Sequence, residues 1–372
     1  MDADAEAPTP EHPEEVWFSA SASPGLPDWL ASHRVSLALT TYQAGKLILV
    51  GLRGDGRLTV FERTFSRCMG LCPDGEDLWL CTLYQIWRFA NVLRPGQEYE
   101  GHDRLYVPRQ GFCTGDLDAH DLAIGRDGRA IFANTRFNCL ATVSVRDSFA
   151  PVWRPPFITA LAPEDRCHLN GLALVDGVPR FATVAADSDV ADGWRPRRRD
   201  GGRVLEIPSG RVVASGLSMP HSPRFHRGRL WLHNSGEGDF GSVAAGGGPF
   251  EPLAFGPGYL RGLDFVGDFA VMGLSRPRRD GAFDGLVLGD RLAGRGVEAF
   301  CGLQVVELGT GRVAHWLRIE GLVSELYDVV ALRGAVRPMA LGFKSDEIRR
   351  LLTIGEPAGI GDGPATPGGP CA

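Results

Sequence analysis

Three of the nine histidines, His120, His168 and His221, fall at related points of one repeated motif. The motif is a short apolar run entered through a polar residue. Its copies are CMGLC at 68–72, AHDLAI at 119–124, LNGLAL at 169–174, PHSPRF at 220–225, LRGLDF at 260–265 and LYDVVA at 326–331. Aligned on the residue before the Gly, Asp or Ser, they give the equivalent positions Met69, His120, Asn170, His221, Arg261 and Tyr327. Two residues earlier stand Arg67, Asp118, His168, Met219, Tyr259 and Glu325. These share a strand face wherever the strand extends that far. The flanking positions are mostly Leu, Val, Ala and Gly, so polar side chains gather at one slot of the repeat.

Three chemistries suit this set. In the first, His120, His168 and His221, with Glu325 or Asp118, bind one divalent metal ion. Imidazole and carboxylate suit Zn, Fe, Mn or Cu alike, so the metal is not specified. In the second, His120 or His221 is a general acid or base tuned by Asp118, Asp121 or Glu325. In the third, Arg67 and Arg261 clamp a carboxylate or phosphate, and Tyr259 and Tyr327 stack on the ligand. Asn170 completes that ligand set. The bland alternative is a water-filled channel whose polar groups bond one another. The leading expectation is a metal site of His120, His168, His221 and Glu325, with His120, His221 and Glu325 catalytic.

These residues need a scaffold that repeats. The aligned positions are separated by 51, 50, 51, 40 and 66 residues, a step that fits propeller blades. Hairpin signals follow the motif: Pro73-Asp74-Gly75, Arg126-Asp127-Gly128, Asp176-Gly177 and Arg227-Gly228, each leading into an alternating strand. The fold predicted is all-β, a six-bladed β-propeller, with the motif as innermost strand and the polar slot at one mouth of the axial channel. The opening strands 35–41, 46–52 and 58–65 are expected to join the motif at Tyr327, and a strand near 337–343, in one shared blade. That arrangement closes the ring and removes free edges.

Two insertions, Asp187–Gly201 and Arg276–Phe300, leave the ends of second strands and are expected to cover the axial face. Polar tips of second strands reach the same face: Asn134-Thr135-Arg136, Asp187-Ser188-Asp189, His233 to Glu237 and Ser275-Arg276. Arg136 and Glu237 are expected to meet a ligand, and others to cap strands as Asx-turns. The propeller is placed at 18–354, between Pro-, Gly- and acid-rich tails at 1–17 and 355–372 expected to be disordered.

Composition narrows the classes. The net charge of -6 offers no basic face for nucleic acid, and the Arg195–Arg199 run, flanked by Asp192 and Asp200, reads as a solvated loop. The eight cysteines show no paired knuckle spacing, and the acidic N-terminus lacks a secretory signal. No stretch reaches transmembrane length. The expectation is a cytoplasmic protein without nucleic-acid or membrane partners, taking a small-molecule or peptide ligand at the axial face.

Longer motifs carry a resemblance. The segments Asn134 to Leu140, Trp153-Arg154-Pro155-Pro156-Phe157, Ala162 to Gly171, Leu217 to Arg224 and Gly273 to Arg276 resemble the bacterial conserved-hypothetical family known as domain of unknown function 4915, over roughly residues 18–355. Asn138 stands where that family usually has Ser, and Tyr327 where it usually has Phe. The resemblance implies a six-bladed propeller and brings no activity. More distantly, the channel plan is similar to the gluconolactonase and senescence-marker group. That group holds a divalent metal with Glu, Asn and Asp; Asn170 and Glu325 fit that chemistry, and the three histidines depart from it. The functional expectation is a metal-dependent hydrolase or oxidoreductase acting on a small molecule or peptide. The runner-up is a non-catalytic propeller that binds a peptide, protein or organic ligand.

Overall fold

The computed structural model describes residues 18–277 and 285–355. The tails expected at 1–17 and from 356 onward lie outside the described residues. The chain forms six sheets around one axis, antiparallel apart from one parallel edge pairing, a six-bladed β-propeller. The innermost strands of blades 1 to 6 are Leu71–Asp74, Ala119–Ile124, Leu169–Val175, Pro220–His226, Tyr259–Val266 and Val329–Arg333. Each repeat motif therefore opens or overlaps an inner strand. Tight turns follow from the residues present. Asp176 and Gly177 have φ of 51° and 71°, and Arg227 and Gly228 have φ of 49° and 76°. Both central residues at positive φ match the twist of a two-residue hairpin.

Three seams close the ring. Val329–Arg333 pairs antiparallel with Val35–Thr41, so blade 6 takes its inner strand from the end of the chain and its other three from the beginning. Phe18–Ala22 adds a fifth strand outside Val313–Gly321 in blade 5. The strand expected near 337–343 exists at Pro338–Ala340 but does not join the shared blade. It pairs in parallel with Arg104–Cys113 at the outer edge of blade 1. The turn after Arg333 carries the chain outward past blade 6, where strands 35–41, 46–52 and 58–64 already fill the sheet.

Inner strands pack by an alternation of side chains. The position after each aligned residue is Gly70, Asp121, Gly171, Ser222, Gly262 and Asp328. Asp121 accepts from Leu122 N at 2.9 Å and from Leu172 N of the next blade at 3.0 Å. Ser222 Oγ accepts from Gly262 N at 2.9 Å, and Asp328 accepts from Leu71 N at 2.8 Å. The glycines make room for the neighbour. A Cβ on Gly171 would lie 2.4 Å from Pro223 Cδ, and one on Gly262 would lie 2.4 Å from Val329 N. Second strands add a further latch. Thr40, Thr135, Ser235 and Ser275 donate their hydroxyls to Met69 O, Leu169 O, Leu260 O and Leu326 O of the following blade at 2.6–2.8 Å. These tips are structural, each bond contributing about 1 kcal/mol. Buried apolar clusters fill the spaces between adjacent sheets. Trp153 donates to Pro208 O at 3.1 Å, tying blade 2 to blade 3.

Candidate functional site

One mouth of the channel opens into a cavity of about 180 Å³. Four of the residues two before the aligned positions, Arg67, Asp118, His168 and Met219, have φ near +50°. The chain enters blades 1 to 4 through a left-handed turn there, not in extended form. Side chains at these positions therefore do not follow strand alternation. Even so, Asp118, His168, Met219 and Tyr259 line the cavity together with His120, Arg261 and Tyr327. Seven of the twelve positions thus share the cavity wall, and Arg67, Met69, Asn170, His221 and Glu325 are not part of it.

Rings form a continuous wall. Trp194 stacks on His168 with centroids 4.2 Å apart, and His168 meets His120 edge to face at 4.8 Å. His120 lies 5.5 Å from Tyr327, which stacks on Tyr42 at 5.8 Å. The Arg261 guanidinium sits between Tyr327 and Tyr259, 4.9 and 5.0 Å from their centroids. His221 packs against Tyr259 at 5.5 Å.

The three histidines are held differently. Nδ1 of His120 faces Asp118 O at 2.8 Å, and Nδ1 of His221 faces Met219 O at 2.8 Å. A carbonyl only accepts, so both Nδ1 atoms carry the proton and both Nε2 atoms carry a lone pair. Burial pushes the His120 pKa down to about 4, and burial with the nearby Arg261 charge pushes His221 well below its ordinary value. Both rings are neutral near pH 7. His168 instead places Nδ1 2.9 Å from the Asp165 carboxylate. Burial alone would raise the Asp165 pKa. The charge and hydrogen bond of His168, the nearby His120 and the Trp194 indole, which donates at 2.9 Å, outweigh it and hold the carboxyl below its ordinary range. Asp165 is thus ionised and His168 Nδ1 is the donor of their bond, an arrangement that leaves the Nε2 lone pair toward any substrate when the ring is neutral.

The other expected residues are spread around this core. Glu325 is fully buried and meets Arg261 Nη1 at 3.4 Å. Asn170 Oδ1 accepts from Thr183 at 2.7 Å, and its Nδ2 is buried without a hydrogen-bond partner. Arg67 pairs with Asp116 and lies 3.5 Å from Asp118. Arg136 pairs with Asp116 at 3.0 Å on the rim, outside the cavity. Glu237 lies 3.7 Å from Arg291, on the helix Val287–Arg295 of the second insertion, and is not at the cavity. Asp121 does not tune His120; it forms a two-pronged pair with Arg224 at 2.9 and 3.0 Å, deeper in the channel. Among the described residues no group of three or more His, Cys, Asp or Glu side chains is placed to hold a metal ion, so His120, His168, His221 and Glu325 do not form a ready-made ligand set.

Tyr42, Asp165, Trp194 and Arg195 also line the cavity and lay outside the expected set. Asp165 and His168 stand three residues apart in one loop, a spacing that could have been read as a pair. Trp194 is a lone large aromatic in a polar insertion, the one signal that this loop packs inward. It joins Met219, Tyr259, Leu286, Leu288 and Leu292 in a buried cluster, so both insertions meet over the axial face. Residues 278–284 of the second insertion lie outside the described residues.

A family model described as domain of unknown function (DUF4915) matches residues 24–341. The chain belongs to this DUF4915 family. No curated protein matches it. Among solved structures it is similar to one of a nidogen/laminin complex, at 12% identity and a TM-score of 0.50, over 81% of this chain and 99% of that one. It also resembles a protein of unknown function from Bacteroides caccae, at 11% identity and a TM-score of 0.47, over 80% of this chain and 99% of that one. Virginiamycin B lyase from Staphylococcus aureus matches at 10% identity and a TM-score of 0.39, over 81% and 99%. At such identities the likeness is one of fold. Among the described residues of this DUF4915 member, no helix is long and apolar enough to cross a membrane.

Proposed function

We propose that the axial cavity is the active site of an enzyme that moves a proton on a small polar organic molecule, with His168 as the base. The observation that carries this is the Asp165–His168 pair. An ionised, half-buried carboxylate fixes the tautomer and direction of an imidazole that lines the cavity. Trp194 holds the ring from its other side at 4.2 Å. The Tyr327 hydroxyl, buried and without a hydrogen-bond partner, is a ready donor on the same wall. The step is balanced within these groups. His168 Nε2 gains the proton, the C–H bond breaks, and the electron pair moves onto the substrate's carbonyl oxygen, which Tyr327 stabilises by donating a hydrogen bond. Return of the proton from His168 restores the enzyme.

The cavity is smaller than the ~300–1,000 Å³ that takes drug-sized ligands, so the substrate is small. The small, mainly polar concavity does not suit the peptide- or protein-docking form of the runner-up, which calls for a flat apolar face. The test is solvent-deuterium incorporation into a panel of small ketones, acids and amides in D₂O. The full chain is expected to exchange at least one of them. His168→Gln is expected to lose roughly 10²–10⁴-fold of that rate, the usual contribution of a general base. Asp165→Asn should lose a smaller factor. Ligands that raise the melting temperature with no exchange would mean a binding module instead.

A further inference from the structure

We infer that the axial cavity takes a small carboxylate and that Arg261 is the group that selects it. This rests on the cavity being the site proposed above and specifies what enters it. The Arg261 guanidinium lies between two aromatic faces, 5.0 Å from Tyr259 and 4.9 Å from Tyr327. Held over both rings, the guanidinium is fixed in place before any ligand arrives, which suits capture of a carboxylate. Its counter-charge does not fill the cavity. Glu325 has a fully buried side chain and is absent from the cavity wall, whereas Arg261 is part of it. The glutamate neutralises the guanidinium from behind.

The other charges of the wall have partners too. Asp118 lies 3.5 Å from Arg67, and Asp165 bonds both His168 and Trp194. Arg67, the other arginine of the repeat, is committed to Asp116 and Asp118. Arg195 pairs with Asp192 at 2.8 Å on the exposed insertion. Beside Arg261, the Tyr327 hydroxyl is a buried donor without a protein partner. Guanidinium and hydroxyl together form a cationic donor pair on one wall. His168 and His120 line the same cavity as this pair. A cavity of about 180 Å³ has the volume of about six waters at ~30 Å³ each. That admits an acid of roughly three to five carbons.

Titration calorimetry on the full chain tests this, with lactate and pyruvate as probes and lactamide and inorganic phosphate as comparisons. Both acids are expected to bind, and lactamide to bind about tenfold or more weakly because it lacks the charge. The double variant Arg261→Gln/Glu325→Gln removes both partners of the buried pair together and should lose acid binding with near-UV dichroism intact. Tyr327→Phe should weaken it several-fold. Lactamide equal to lactate, phosphate displacing the acids at lower concentration, no heat with either acid, or a folded double variant that binds like the parent would each overturn the assignment. Should the double variant not fold, the lactate–lactamide ratio and Tyr327→Phe still decide it. The two proposals fail separately. An acid that binds without deuterium exchange removes the proton-transfer reading alone, and exchange of a neutral ketone without acid binding removes the carboxylate alone.

Discussion

His120 is neutral because the fold cannot hydrate its charge. Its pKa falls from 6.5 to about 4 through burial. The folded chain then binds fewer protons than the unfolded chain between those values. The stability this histidine contributes is present above about pH 6.5 and is lost as the pH falls toward 4. His233, also pushed to about 4 by burial, acts in the same direction. Urea unfolding from pH 7 down to pH 4 should therefore show falling stability. His120→Gln should flatten the slope by an amount on the order of 3 kcal/mol over the window. Asp328 works the other way. Burial, with repulsion from Asp121, outweighs the attraction of Arg224 and raises its pKa from 3.8 to about 7. Its contribution is full below the unfolded value and is lost as the pH rises to about 7. Asp328→Asn should remove that opposing trend, so its stability relative to the parent should rise between pH 4 and pH 7. An unchanged difference would mean that Asp328 is ionised throughout. Single residues of this kind were legible at the aligned positions, where the repeat marks which side chain enters the channel. Asp165 lies off those positions, in a left-handed loop three residues before His168, where only the short spacing and not the repeat points to it.

At the scale of the element, the inner strands and their hairpins follow from the motif and from Asp-Gly turns, and these were readable. The direction of the second-strand tips was less so. Thr135 and Ser235 look like ligand-facing groups in the sequence, yet each spends its hydroxyl on a carbonyl of the next blade at 2.6 and 2.7 Å. A hydroxyl one residue past a strand end has both options, and only the spacing between sheets decides. Ser235→Ala is expected to cost about 1–3 kcal/mol by leaving the buried Leu260 carbonyl unsatisfied. The insertion that holds Trp194 shows the same limit. Its charge pattern reads as solvated, and Arg195 and Arg197 are exposed, but Trp194 is buried against His168. Trp194→Ala should leave the propeller folded and open the cavity. Carbethoxylation of His168, followed by peptide mass spectrometry, should become faster in that variant; an unchanged rate would show that Trp194 does not cover the ring.

At the scale of the whole molecule, six blades, their order and the shared sixth blade were legible, because a repeat of nearly constant length has few ways to close. The outer two seams were not: no strand was expected to join blade 5 at Phe18–Ala22. Pro338–Ala340 is three residues long and pairs in parallel, a pattern too short to leave a periodic signal. Closure is also redundant. Val329–Arg333 seals the ring from inside, and Phe18–Ala22 covers the edge of blade 5 from outside. Deleting residues through Ala22 should lower the melting temperature by a few degrees, the shift expected for about 1–2 kcal/mol in a chain this long, without loss of the native near-UV spectrum. Unfolding of the whole ring would show that the outer seam is essential. The axial cavity lies where the sequence places it, at the mouth onto which the repeat converges. Its chemistry depends on one imidazole, and a long-range ¹H–¹⁵N spectrum of the histidine rings at mildly alkaline pH tests that imidazole most directly. The account predicts that His168 carries its proton on Nδ1 and a lone pair on Nε2, with the Nε2 resonance moving when an occupant of the cavity is added. A proton on Nε2, or a His168 signal indifferent to every ligand that stabilises the protein, would contradict it.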